Sequence, residues 1–159
     1  MEVIRVGISE FSVAKAPSKL ITMGLGSCVG IAIYEPRLKI GGLSHILLPD
    51  SQYFANKDKP EKFADLALPM MVSEIKKTTG VYKLYAKIAG GASMFPGNSD
   101  PSVEGIGQKN IRAVESILND LGITIVSSHI GGNMGRTMTV DLENFEVTVS
   151  LGSKQVLYL

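Results

Sequence analysis

The chain contains no tryptophan, a single cysteine and only two histidines among its 159 residues. One cysteine excludes a disulfide within the chain, and so few cysteines and histidines do not form the spacing of a zinc cluster. We therefore expect neither a metal nor a cofactor. A lone thiol stays free in a reducing compartment, which favours a cytoplasmic protein.

Long apolar runs and blocks of like charge are also missing. No stretch approaches the roughly 20 apolar residues of a membrane helix, and no charged leader precedes an apolar run at the N-terminus. The formal net charge is +1, and charged residues make up 19% of the chain. These features predict no membrane insertion and no nucleic-acid partner.

What remains is the composition of an ordinary globular protein. Hydrophobic residues make up 45% of the chain, which is enough for a substantial core at this length. No linker, internal repeat or low-complexity tract divides the sequence. We therefore expect a single domain over residues 1–159.

The periodicity of apolar residues predicts many strands and two helices. Strands are predicted over residues 3–9, 20–23, 29–34, 40–48, 81–89, 123–129, 137–142, 145–151 and 155–159. Helices are predicted over residues 61–79 and 106–121, with a kink or break at Pro69, and a long loop over residues 90–105. Because several strands follow one another without helices, we expect an α+β fold, with mostly antiparallel or mixed sheets and two helices on one face.

Cys28 stands in a glycine-rich run, and His45 follows it after two predicted strands that form a hairpin. A hairpin that is symmetric about a turn at Pro36 and Arg37 places Cys28 directly opposite His45. Opposed residues have Cβ atoms about 4.5–5.5 Å apart, so the imidazole could take the proton of the thiol. A slip of one residue would put the two side chains on opposite faces.

A cysteine–histidine pair needs further groups to act as a catalyst. Thr22 is the candidate for orienting the imidazole, with Ser27 and Ser44 as alternatives. Gly26, Ser27 and Ser44 are candidates for the oxyanion hole or the cleft, since glycines allow close approach to backbone N–H groups. A buried cysteine is also often only a small apolar residue, so the residue types leave an inert Cys28 open.

Several motifs, taken together, resemble one known family over residues 20–151. They are Leu25-Gly26-Ser27-Cys28-Val29, Gly42-Leu43-Ser44-His45-Ile46-Leu47-Leu48-Pro49, Lys62-Phe63-Ala64-Asp65, Lys87-Ile88-Ala89-Gly90-Gly91-Ala92-Ser93-Met94-Phe95, Ile106-Gly107-Gln108-Lys109-Asn110 and Gly131-Gly132-Asn133-Met134-Gly135-Arg136. In this combination the chain resembles CheD, the chemoreceptor glutamine deamidases of bacterial and archaeal chemotaxis.

The resemblance implies a layered α/β sandwich, similar to the catalytic domain of the cytotoxic necrotizing factor toxins. It implies hydrolysis of receptor glutamine side chains to glutamate with release of ammonia. Cys28 would be the nucleophile, His45 the base and Thr22 the third residue. His129 falls where the family requires no histidine, so we interpret it as a partly exposed residue at a strand end.

The resemblance also implies two partners. One is the helical cytoplasmic part of methyl-accepting chemoreceptors, for which Met94 and Phe95 are candidate rim residues. The other is CheC, a phosphatase of the phosphorylated response regulator CheY, which the protein would bind and stimulate. Two alternatives remain: another cysteine amidohydrolase or thiol protease, and a non-catalytic module that only regulates CheC.

Overall fold

The computed structural model describes residues 2–56, 58–94, 104–152 and 154–159. The strands are β1 (Val3–Arg5), β2 (Glu10–Lys15), β3 (Lys19–Leu25), β4 (Val29–Glu35), β5 (Ile40–Ile46), β6 (Tyr85–Gly90), β7 (Thr124–Ile130), β8 (Arg136–Asp141), β9 (Glu146–Leu151) and β10 (Val156–Tyr158). The helices are α1 (Ala64–Thr79) and α2 (Ile106–Asp120), and a short 3-10 helix, Pro60–Lys62, precedes α1.

The strands form two sheets of five. The outer sheet has the order β1-β3-β8-β9-β10, and the central sheet has the order β2-β5-β4-β6-β7. Both sheets are mixed, because β1 pairs with β3, and β6 with β7, in parallel. One apolar cluster joins the central sheet to both helices, and a second lies between the two sheets. The predicted α+β fold is confirmed as three layers: outer sheet, central sheet and helices.

Strand β4 lies inside this layered structure and is buried on both faces. Val29, Ile31 and Ile33 belong to the cluster on the helix side. Cys28, just before the strand, and Ala32 belong to the cluster between the sheets. Because side chains alternate along a strand, the position of Cys28 makes its thiol face the outer sheet.

The N-terminal strand prediction is wrong in part. Strand β1 ends at Arg5, and the structure has a further strand, β2, from Glu10 to Lys15. Ser9 separates them with a φ of 62°, a left-handed conformation that no strand continues through. Strand β2 is an edge strand whose residues are half-buried or exposed, so its sequence lacks a clear apolar alternation.

Of the kink or break predicted at Pro69, a break is wrong. Helix α1 begins at Ala64 and continues through Pro69 to Thr79. Ala67, Leu68 and Met71 on either side of the proline are fully buried, and this packing outweighs the hydrogen bond that proline cannot donate. The other predicted elements match to within a few residues. No helix in the described part of the chain is both long and apolar enough to span a membrane.

Candidate active site

Cys28 lies immediately before β4, in a segment fixed by the chain that follows β6. The carbonyl of Cys28 accepts a hydrogen bond of 2.8 Å from Gly91, and that of Gly26 accepts one of 2.8 Å from Ala92. Gly90 has a φ of 118°, and a Cβ atom there would lie 2.2 Å from the carbonyl oxygen of Cys28. Only glycine permits this approach, so the two segments are held together by backbone contacts.

The hairpin predicted from the sequence is present, but its register differs by two residues. The structure pairs His45 with Gly30, so the predicted direct opposition of Cys28 and His45 is wrong. The loop spans four residues between Glu35 and Ile40, which are paired, and Lys39 takes a left-handed φ of 56°. This loop moves the hairpin axis toward the C-terminus by one residue.

A shift of two residues keeps every side chain on its predicted face. Cys28 and His45 therefore share the face toward the outer sheet as diagonal neighbours, which in a sheet lie about 7–8 Å apart with their Cβ atoms somewhat closer. Gly30, directly opposite His45, places no side chain between them. Both residues are buried: Cys28 is 6% exposed and His45 is 0% exposed.

Thr22 reaches His45 from the other sheet. Its hydroxyl Oγ1 lies 2.6 Å from His45 Nδ1 and donates a 2.7 Å hydrogen bond to the carbonyl oxygen of Val6. A hydroxyl has one proton, and the Val6 carbonyl only accepts, so Nδ1 must carry a proton and donate it to Oγ1. The unprotonated nitrogen of the neutral ring is therefore Nε2.

Burial keeps both members of the pair uncharged at neutral pH. It lowers the pKa of His45 from 6.5 to about 4. It also raises the pKa of the Cys28 thiol, although the backbone N–H of Cys28 acts in the opposite direction. His45 Nε2 is buried without a hydrogen-bond partner in the described chain. The resting site thus holds a neutral thiol and a neutral imidazole, and the basic nitrogen of the ring accepts no hydrogen bond from the thiol or from any other described group.

Backbone N–H groups next to the thiol complete the arrangement. The N–H of Gly26 donates to the carbonyl of Gly24 at 3.0 Å, so it is already used. The N–H groups of Ser27 and Cys28 donate to no backbone carbonyl of the described residues. Of the predicted oxyanion donors, these two amides are the ones available.

Four further residues were singled out from the sequence, and the structure describes three of them. Ser44 is paired with Ile31, whose side chain lies on the helix side of the central sheet, so the structure does not bring Ser44 to Cys28. His129 is half-buried in β7, two strands away from β4, and is not brought to Cys28 either. Met94 is 45% exposed and contacts the Gly26 position, which suits a rim residue. Phe95 lies outside the described residues.

One buried polar residue at the site was missed from the sequence. Asn110 in α2 is 0% exposed, and its Nδ2 donates to the carbonyl oxygens of Ser27 at 3.0 Å and Leu47 at 3.1 Å. The sequence did contain an indication of this burial: Asn110 is a polar residue on the face of α2 that carries the buried Ile111 and Val114. In the described residues, no group of three histidine, cysteine or acidic side chains is placed to hold a metal ion.

A cysteine, an oriented neutral histidine and unused backbone amides form a site of the kind that cysteine-dependent acyl-transfer enzymes use. Residues 47–151 match the family model described as CheD chemotactic sensory transduction. The chain belongs to the CheD family.

Relatives with curated names cover almost the whole chain. A protein of Desulforamulus reducens is 50% identical over 152 residues, which are 94% of this chain and 92% of that relative. A protein of Clostridium novyi is 48% identical over 157 residues, which are 96% of this chain and 97% of that relative. Both carry the name "Probable chemoreceptor glutamine deamidase CheD".

Proposed function

We propose that the protein is a chemoreceptor glutamine deamidase, which hydrolyses glutamine side chains of chemoreceptors to glutamate and releases ammonia. The names of its relatives support this activity. The observation that carries the proposal is the hydrogen-bonded chain from Val6 through Thr22 to His45. It leaves His45 Nε2 unprotonated on the same face of the central sheet as the only cysteine.

In the first half of the reaction, Nε2 of His45 takes the proton of Cys28 as Sγ attacks the carboxamide carbon of the substrate. The negative charge that develops on the substrate oxygen is stabilised by the N–H groups of Ser27 and Cys28. The imidazolium then returns the proton to the departing nitrogen, and ammonia leaves. The product of this half is a glutamyl thioester on Cys28.

In the second half, His45 is neutral again and takes a proton from a water molecule. The resulting hydroxide adds to the thioester carbon, and the Cys28 sulfur leaves with the proton from His45. Glutamate is released, and the site returns to its starting state. Thr22 holds the ring in the same orientation throughout, because its hydroxyl contacts the nitrogen that never exchanges its proton with substrate.

The proposed substrate is a helix of the cytoplasmic part of a chemoreceptor, so the protein would act in the cytoplasm. Because Cys28 is buried, the glutamine side chain has to project from the helix into the cleft. The exposed Met94 beside Gly26 offers an apolar contact for the helix surface.

Mass spectrometry of a receptor fragment tests the proposal. Purified cytoplasmic receptor fragment from the same organism is incubated with the wild type and with Cys28→Ala, and peptide mapping locates each glutamine converted to glutamate. We expect conversion with the wild type and none with Cys28→Ala, which removes the nucleophile and only a small buried side chain. Circular dichroism verifies that the variant is folded.

Other outcomes contradict the proposal. Conversion by Cys28→Ala at the wild-type rate would exclude the thiol mechanism. Hydrolysis of small amides or peptides without receptor conversion would favour another cysteine amidohydrolase. Receptor that stays unchanged with either protein would favour the non-catalytic module.

We further propose that the protein binds and stimulates the phosphatase CheC. Support comes from family membership, since the resemblance described above implies this partner. If CheC and the receptor use the same cleft, excess CheC inhibits receptor deamidation in a competitive manner. Deamidation that is independent of CheC concentration would place the two partners on separate surfaces.

A further inference from the structure

We propose that Asn110 is a positioning residue of the deamidase. Its side chain fixes the peptide between Ser27 and Cys28, so that the Cys28 N–H is oriented for the oxyanion, and it joins this peptide to the strand of His45. This proposal rests on the proposed function, because Asn110 would act in the deamidation reaction.

The two contacts of Asn110 determine how its carboxamide is oriented. Nδ2 lies 3.0 Å from the carbonyl oxygen of Ser27 and 3.1 Å from that of Leu47. If the carboxamide were turned over, Oδ1 would lie against the two carbonyl oxygens and could not donate to them. Nδ2, which carries two hydrogens, must therefore face these carbonyls. Each hydrogen of the amide group therefore has its own acceptor.

The first contact fixes the direction of a backbone donor. In a planar trans peptide the C=O and N–H bonds point in opposite directions. Because the Ser27 carbonyl points toward Asn110, the Cys28 N–H points away from it. That N–H lowers the pKa of the Cys28 thiol, which places it beside the sulfur where the oxyanion forms.

Among the described residues, Asn110 is the one side chain that donates a hydrogen bond to the backbone of this segment. The carbonyls of Gly26 and Cys28 are held by the backbone amides of Ala92 and Gly91. The Ser27 carbonyl between them is held by Asn110. Three successive peptides are thus fixed, and a substitution can release only the peptide that carries the Cys28 N–H.

Two further features of Asn110 bear on its role: its contact with Leu47 and its carboxamide oxygen. Leu47 lies two residues after His45, so one side chain connects the nucleophile segment with the strand of the base. Asn110 Oδ1 is buried without a partner in the described chain. This oxygen takes part in neither contact, so both depend on Nδ2 alone.

The test compares Asn110→Asp with the matched control Asn119→Asp, which makes the same change at an exposed position of α2. Aspartate replaces Nδ2 with an oxygen of similar size and removes both donated hydrogen bonds when ionised, or at least one of them when the buried carboxyl is protonated. We expect kcat for receptor deamidation to fall about 10²-fold, as for a misplaced reacting group. KM should stay within about twofold, because binding of the helix does not involve this peptide.

A second readout needs no receptor. The rate of Cys28 alkylation by iodoacetamide is measured against pH for the uncharged variant Asn110→Ser, because an aspartate charge would by itself raise the thiol pKa. The apparent thiol pKa of Asn110→Ser should be higher by about one unit than that of the wild type. Asn119→Asp should match the wild type in both measurements. If the wild type deamidates no receptor, the proposed function fails, while the alkylation profile still tests the role of Asn110.

Thermal unfolding followed by circular dichroism controls for loss of structure. If Asn110→Asp does not fold, Asn110→Ser replaces it, since serine is too short to reach both carbonyls. A folded variant whose kcat lies within about threefold of the wild type, with an unchanged alkylation profile, would overturn the proposal. A lower melting temperature with unchanged kcat would show that Asn110 acts only in stability.

Discussion

The hydroxyl of Thr22 determines the state of the catalytic base. It accepts from His45 Nδ1 and donates to Val6, so it fixes both the orientation and the tautomer of the ring. All three groups lie in the interior, where no water competes for these bonds. Because Oγ1 uses its single proton on Val6, it decides which nitrogen of the neutral His45 ring carries the proton.

Thr22→Val is expected to lower kcat about 10²-fold, because valine has the shape of threonine but leaves Nδ1 without its acceptor. Thr22→Ser keeps the hydroxyl and should retain most of the activity. Steady-state deamidation kinetics check both variants. Equal rates for Thr22→Val and the wild type would remove Thr22 from the mechanism.

The sequence predicted the three side chains of this site but not their backbone partner. Cys28 and His45 were found because alternation along a hairpin survives a shift of two residues. Thr22 was one of three candidate hydroxyl residues, with Ser27 and Ser44, and the family resemblance selected it. The carbonyl of Val6 has no residue-type signature, and its place depends on the pairing of β1 with β3.

Among the elements, the β4–β5 hairpin determines the geometry of the nucleophile and base. Its register could not be predicted from turn propensity alone, since Pro36 is compatible with more than one loop length. The observed loop depends on the left-handed Lys39 and on Glu35, whose Oε2 accepts a 2.6 Å hydrogen bond from the backbone N–H of Leu38. Such a side-chain contact becomes visible only in three dimensions.

Gly30→Ala tests how tightly this hairpin packs against the outer sheet. A Cβ atom at Gly30 would lie 2.8 Å from Met138 Sδ and 3.1 Å from Leu25 Cδ1. We expect the free energy of unfolding to fall by about 1–3 kcal/mol, the usual effect of overpacking. Urea denaturation measures this change in the free energy of unfolding.

Gly135→Ala is the control for this substitution, since a Cβ atom there meets nothing within 4 Å. Its unfolding midpoint should stay close to that of the wild type. Equal midpoints for Gly30→Ala and Gly135→Ala would show that the core accommodates the extra methyl group.

For the whole molecule, the burial of His45 makes stability depend on pH. Burial lowers the pKa of His45 from its ordinary value of 6.5, which it has in the unfolded chain, to about 4 in the folded protein. Between these values the unfolded chain binds the additional proton, so the folded state loses stability as the pH falls from 6.5 to 4. The loss amounts to at most about 3 kcal/mol and is absent above this range.

Urea denaturation at a series of pH values measures this dependence. The wild type should lose more stability than His45→Gln between pH 6.5 and pH 4, since the variant lacks the titrating ring. The carboxylates and His129 contribute equally to the pH dependence of both proteins, so their contributions cancel when the two slopes are compared. Parallel slopes would mean that His45 does not titrate differently in the folded and unfolded states.

The proposed catalytic residues belong to two different sheets. Thr22 lies in the outer sheet, whereas His45 lies in the central sheet. A partly denatured state can keep its strands while the sheets separate, as in a molten globule. In such a state the imidazole loses its acceptor although the secondary structure persists. Turnover is therefore a sensor of how the layers dock, and in mild denaturant or acid it should vanish together with the near-ultraviolet circular dichroism, before the far-ultraviolet signal changes.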